Sequence, residues 1–218
     1  MKKLLLFLFL FPFFSISQTI NKIDDYGMKQ GVWSKNHKNG NVRYKGQFKD
    51  NKPQGLFYYY YEGGALKAEK KFFHDGEAVA THFFYKDGKL QSSGIYVNEL
   101  KDSTWNYYNK DSILIMSEQY QGGRLNGATK TFYYDGALYE KKNWRNDSLD
   151  GSWKQFFIDG TLKMESYYKD NLRHGRQTYY YPNGNVYYNG FYNNDIKSDF
   201  WEFFTEKGVS DTIINYNE

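Results

Sequence analysis

Aromatic, glycine and polar positions recur along this chain with a period of 24 residues. Gly31, Gly55, Gly127, Gly151 and Gly175 mark one phase, and Val79, Ser103 and Asp199 occupy the same place in three further units. Eight units starting at 31, 55, 79, 103, 127, 151, 175 and 199 thus tile residues 31–218 without an insertion, the last one cut short. Repeats of this length are the signature of stacked arrays. Nine residues after each start stand Gly40, Gly64, Gly88, Gly136, Gly160, Gly184 and Gly208, with Ser112 the one exception. Asn or Asp precedes most of them, and such pairs favour two-residue hairpin turns. Seventeen after the start, every unit is aromatic: Phe48, Phe72, Tyr96, Tyr120, Trp144, Tyr168, Tyr192 and Tyr216. Five after the start, seven units are aromatic, from Tyr60 to Phe204. Two after the start stand Trp33, Phe57, Trp105, Trp153 and Trp201, with polar residues in the other units.

Each unit therefore reads as two short strands, for example residues 57–61 and 66–73, joined by a tight turn at Glu62-Gly63-Gly64-Ala65. Looser polar turns such as Asp50-Asn51-Lys52-Pro53 and Asn146-Asp147-Ser148 link one unit to the next. A lone hairpin cannot bury an aromatic face, so neighbours must stack. The expected fold is all-β: an open, elongated array of about eight β-hairpins in a single twisted antiparallel sheet. Two strands per unit at ~4.8 Å each give a rod or trough roughly 75–80 Å long. A propeller blade needs ~40 residues, more than one unit supplies. A membrane barrel needs strands of ~10 residues with an apolar outer face, and these strands carry Lys, Asn and Asp on both parities.

Composition agrees. Aromatics are 21% of the 218 residues, glycine reaches 20 and proline only 3, a profile of strands and turns. The chain has no cysteine, which excludes disulfides, thiolate metal sites and a cysteine nucleophile. Residues 1–17 read as a secretory signal: Lys2 and Lys3, an apolar run from Leu4 to Phe14, then Ser15-Ile16-Ser17 before a new N-terminus at Gln18. The run would span ~16 Å as a helix, too short for the ~30 Å hydrocarbon core. No transmembrane anchor is expected after cleavage, and the protein is expected in the periplasm or secreted. Residues 18–30 are left as an N-terminal cap on the array. Beyond the signal, 27 basic and 25 acidic side chains are scattered, not blocked, and an exported address also argues against a nucleic-acid partner.

Chemistry is harder to find. His37, His74, His82 and His174 occupy four different phases of the repeat, so no metal site is expected. The Asp-Gly and Asn-Asp stretches lack the alternating acidic ladder of a calcium loop. No Gly-x-Ser-x-Gly is present, and the carboxylates of Glu69, Glu118, Glu140 and Glu165 are spread across units. No catalytic residue and no cofactor is expected. Trp33, Phe57, Trp105, Trp153 and Trp201 share one phase and are the candidate binding face, for a protein strand or for sugar rings. The alternative is that they pack as core. Aromatics on both faces of one layer cannot all be buried, so some are expected exposed as a contact surface.

Tyr44-x-Gly46-x-Phe48 followed by Gly55, Tyr188-x-Gly190-x-Tyr192, and Gly151-x-Trp153-x-x-Phe156-Phe157-x-Asp159-Gly160-x-Leu162 resemble the MORN repeat and its bacterial variant, grouped with the YwqK-type antitoxin family. The resemblance covers nearly the whole mature chain. It implies an extended hairpin array that binds proteins or lipids, and it carries no catalytic residues. The expected function is a non-enzymatic interaction surface in the bacterial envelope, with an unknown protein as partner. A glycan-binding module and an immunity protein for a toxin are the alternatives. The two free sheet edges allow edge-to-edge pairing of two chains into a homodimer.

Overall fold

A computed structural model describes residues 19–217. The signal segment lies outside them. The described residues form 17 strands in one sheet. They are β1 (Lys22–Ile23), β2 (Lys29–Asn36), β3 (Val42–Lys49), β4 (Lys52–Tyr60), β5 (Leu66–Phe73), β6 (Ala78–Phe84), β7 (Leu90–Val97), β8 (Leu100–Tyr108) and β9 (Leu114–Gln121). There follow β10 (Arg124–Phe132), β11 (Leu138–Arg145), β12 (Ser148–Phe156), β13 (Leu162–Lys169), β14 (Leu172–Tyr180), β15 (Val186–Asn193), β16 (Ile196–Phe204) and β17 (Ser210–Asn215). Each strand pairs antiparallel with the one before and the one after it, so the sheet is an open meander. Each 24-residue unit supplies one hairpin, β2–β3 the first and β16–β17 the last. At the start of the array β1 pairs with Lys29 and Gln30, and Asn21 bonds Val32 and Ser34. Part of the segment before Gly31 therefore covers the first edge.

The turns reverse the expectation. The Asx-Gly turns are the wider ones. His37 to Gly40 is representative: the Gly40 N–H donates to the His37 carbonyl, and Gly40 takes a φ of 89° while Asn39 does not enter the left-handed region. This is a four-residue turn ending in a left-handed glycine, with a bulge in the register beside it. Asn39 serves through its side chain, whose Oδ1 accepts from the Asn41 N–H; Asp87, Asp135, Asp159 and Asn183 repeat that bond. The true two-residue turns lie between units. Asp50 and Asn51, Asn98 and Glu99, Asn146 and Asp147, Asp170 and Asn171, and Asn194 and Asp195 all have positive φ at both central residues. The strands after these turns consequently start earlier than expected: β4 begins at Lys52.

The unit starts are β-bulges. Gly31, Gly55, Gly127, Gly151 and Gly175 have φ between 65° and 109°, and the ladder with the preceding strand shifts register beside most of them. Ser103 and Asp199 keep the bulge, at φ 59° and 58°. Val79 does not. A β-branched residue is a poor fit to left-handed backbone. Accordingly β5 and β6 pair without a register shift, and the spare residues move into the turn, a single 3-10 turn at His74–Gly76.

Candidate functional site

The two faces of the sheet differ. One, the ladder face, carries the aromatics found two, four and seventeen residues after the unit starts. Across each hairpin the register sets position seventeen opposite the unit start, and positions two and four opposite the residues fifteen and thirteen after it. Ring contacts run along it: Trp33 on Phe48 at 5.8 Å, Phe57 on Phe72 at 5.1 Å, Trp105 on Tyr96 at 4.8 Å and Trp201 on Tyr192 at 5.1 Å. These separations suit edge-to-face packing.

Burial in a single layer needs a close floor, and glycine supplies it. Gly46, Gly94 and Gly190 lie beneath Phe57, Trp105 and Trp201, eleven residues earlier in the chain. A Cβ on these glycines would stand 2.2–2.4 Å from ring carbons. The same eleven-residue pairing elsewhere sets Lys70 opposite Thr81, Glu118 opposite Thr129 and Ser166 opposite Gln177. Glycine thus stands under a large ring, and a side chain stands opposite a small or polar residue. Lys142 and Trp153 are the exception, and there the ammonium lies 4.6 Å from the ring centroid.

Cations close the ladder face from above. The residue two before the unit start sits over the unit's ladder ring wherever it is basic: Lys29 over Phe48, Lys101 over Tyr120, Arg173 over Tyr192 and Lys197 over Tyr216, at 4.1–5.0 Å. Around Lys101 the cluster is polar as well. Its Nζ donates to the Tyr107 hydroxyl at 2.6 Å, and the Tyr120 hydroxyl donates to Glu118 at 2.8 Å. Burial and the nearby Glu118 carboxylate push the Tyr107 phenol well above its ordinary range, and push Tyr120 up to about 12.

These contacts correct the candidate binding face. Phe57, Trp105 and Trp201 are 2%, 1% and 2% exposed, so they are packing residues and offer no surface. Trp33 and Trp153 are half-buried. Of the ladder aromatics Tyr192 is buried, while Phe48, Phe72, Tyr96, Tyr120, Trp144, Tyr168 and Tyr216 are half-buried. Outside the cap and the turns, most exposed apolar side chains lie on the other face, with Ile214, opposite Trp201 on the last strand, an exception on the ladder face. One group is Leu56, Phe73, Ile95, Val97 and Leu100, in units two and three. A second, in units six to eight, includes Tyr167, Leu172, Tyr187, Phe191, Ile196 and Phe200, the last 58% exposed. Between them the same face is polar, with Gln119 capping the Ala128 N–H and Asn143 bonding Ser152.

The other candidate chemistry does not converge. Glu118 and Glu140 are on the ladder face, whereas Glu69 approaches His82 and Glu165 pairs with Lys154 on the opposite face. His37 bonds the Tyr60 carbonyl. That bond belongs to a series the sequence reading missed. Tyr61, Tyr85, Tyr133 and Tyr181, in the same phase as His37, each donate a hydroxyl to a carbonyl 23 residues on, at 2.8–2.9 Å. At the opposite margin Asn51, Asp147, Asn171 and Asp195 accept from the N–H of the residue 22 earlier. Both margins are thus tied unit to unit. The eleven-residue offset between glycine and aromatic was the one sequence signal for the ladder-face packing.

The MORN repeat variant matches residues 29–50, 149–170 and 173–194. Each matched stretch starts at the residue two before a unit-start glycine and covers one hairpin, so these three units are similar to the MORN repeat variant. No curated protein matches it. Among solved structures, the crystal structure of TarM matches with a TM-score of 0.28 and 14% identity. That match covers 54% of this chain and 20% of TarM, so this chain spans about one fifth of the TarM length.

Proposed function

We propose that this is an exported, non-enzymatic repeat protein that presents an extended β surface to a protein partner in the bacterial envelope. The observation that carries this reading is the contrast between the faces. The ladder face packs against itself, while the opposite face leaves two groups of large apolar side chains in solvent. Contiguous exposed apolar surface marks protein contact sites more often than chance. The similarity to MORN repeats supports an interaction role, and the Lys2–Ser17 segment supports export. An immunity role toward an exported toxin would be the same surface used on one particular partner. Glycan stacking is less well supported, because the rings of Phe57, Trp105 and Trp201 that would meet a sugar are covered.

The test is photo-crosslinking in cells from a benzoyl-phenylalanine placed at Phe191 or, separately, at Tyr59 on the ladder face. A discrete protein adduct from position 191 and none from position 59 is expected. Adducts from 59 alone would overturn the assignment of the face, and no adduct from either would overturn the protein-binding reading.

A further inference from the structure

Unit three breaks the repeat in several places around one pocket. Val79 replaces the start glycine and the bulge is lost. The turn lengthens into His74–Gly76. Thr81 stands where five other units place a large ring, and Lys70 stands where three of them place the glycine beneath it. The exchange of a large ring for a threonine leaves room. A cavity of about 420 Å³ is walled by Pro53, Phe72, Val79 and Tyr96, with the half-buried Lys70 and the exposed Asp75 and Glu99 completing its lining.

Lys70 is the unusual member. Lys101 and Lys197 reach tyrosine hydroxyls, Lys142 pairs with Glu140 and Arg173 with Asp195. Among the described residues Lys70 has no such partner: its Nζ faces only the rings of Tyr59, Phe83 and Tyr96, at 5.6–6.0 Å. Burial holds this ammonium below the usual lysine range, the direction expected when desolvation is not offset by an anion. Directly across the strand pair, Thr81 is 1% exposed and its hydroxyl has no hydrogen-bond partner. The Lys70 ammonium lines the cavity, meets only aromatic rings and can take an anionic acceptor there.

We infer that this pocket binds a carboxylate, presented as an acidic side chain of the partner protein; the inference rests on the protein-binding reading above. The charge count selects the ligand. With Asp75 held by Lys52 at 3.3 Å, the lining sets Lys70 against Glu99, so a monovalent carboxylate meets less repulsion there than a phosphate dianion. The two lining carboxylates can accept from backbone N–H groups flanking an acidic residue, and the Phe72 and Tyr96 rings suit its methylene stem.

The test uses the whole protein labelled with 15N-lysine, with the Lys70 Nζ signal assigned by its loss in Lys70→Gln. Acetyl-glutamate amide is expected to shift that signal saturably, while acetyl-glutamine amide leaves it in place. Lys70→Gln should fold with an unchanged or raised melting temperature, since it removes a desolvated charge, and should weaken partner binding by roughly tenfold. No saturable shift with the glutamate probe, or an equal shift with the glutamine probe, would overturn the site. A glucuronate shift as strong as that of the glutamate probe would overturn it in favour of an acidic sugar. Undiminished partner affinity in Lys70→Gln, with crosslinking from position 191 intact, would overturn this inference and leave the protein-binding reading standing.

Discussion

At the scale of single residues, the ladder face is decided by pairs. Trp105 lies flat on Gly94, and neither residue type explains itself alone. Trp105→Ala should cost about 3–5 kcal/mol, as for other fully buried large aromatics. Gly94→Ala should cost about 1–3 kcal/mol through overpacking. In a Trp105→Thr background the same Gly94→Ala change should cost far less, because the chain already tolerates Lys70 opposite Thr81. Chemical denaturation of the four proteins measures the coupling, and additive costs would contradict the pairing. These pairs were legible in the sequence only as an offset of eleven residues. The aromatic column at Trp33, Phe57, Trp105, Trp153 and Trp201 was plain from periodicity, but periodicity assigns residues to faces and does not say which face is covered. What covers it, in the units where that position is basic, is the cation two residues before the unit start, a contact past the bulge that strand alternation does not reveal.

At the scale of elements, the unit is a hairpin with a bulge at its start and ties at both margins. Strands and their pairing were readable from the repeat, because the aromatic and glycine positions fix the phase of every unit. Turn types were not. Asn-Gly and Asp-Gly suggested two-residue turns, yet the glycine closes a longer one, and pairs such as Asp170-Asn171 take the left-handed backbone instead. Asn and Asp tolerate that conformation because their short side chains bond nearby backbone. In Asn171 the side chain also holds the Leu149 N–H of the preceding unit. The bulge offers a direct test. Ser103 holds a φ of 59° without being glycine, so Ser103→Gly should stabilise the protein by roughly 1 kcal/mol. A loss of stability in thermal melts would show that the serine hydroxyl, which donates to Asp102, matters more than the backbone. At the other margin, Tyr133→Phe removes a hydroxyl bond to the Phe156 carbonyl and should cost about 1 kcal/mol, with hydrogen exchange rising at both linked turns.

At the scale of the molecule, the extensive contacts run between neighbouring strands, so stability is close to a sum over units. Deleting residues 127–150 should shorten the array and keep cooperative unfolding; a molten or unfolded product would contradict the solenoid account. The phenols give the array a defined alkaline response. Burial pushes Tyr120 and Tyr188 up to about 12, above the ~10 of an unfolded chain. Their contribution is complete below pH ~10 and is lost as pH rises toward 12, when the unfolded chain ionises first. Melting temperature should fall over that interval, and a flat profile would show that these phenols are not shielded.

The claim on which the functional reading depends is that one face packs on itself and the other is open. Hydroxyl-radical footprinting of the purified protein tests it residue by residue. The account predicts protection at Phe57, Trp105 and Trp201 together with strong modification at Tyr187, Phe191 and Phe200. Rapid oxidation of Trp105 and Trp201, with Phe191 and Phe200 protected, would contradict it and return the tryptophan column to the role of contact surface.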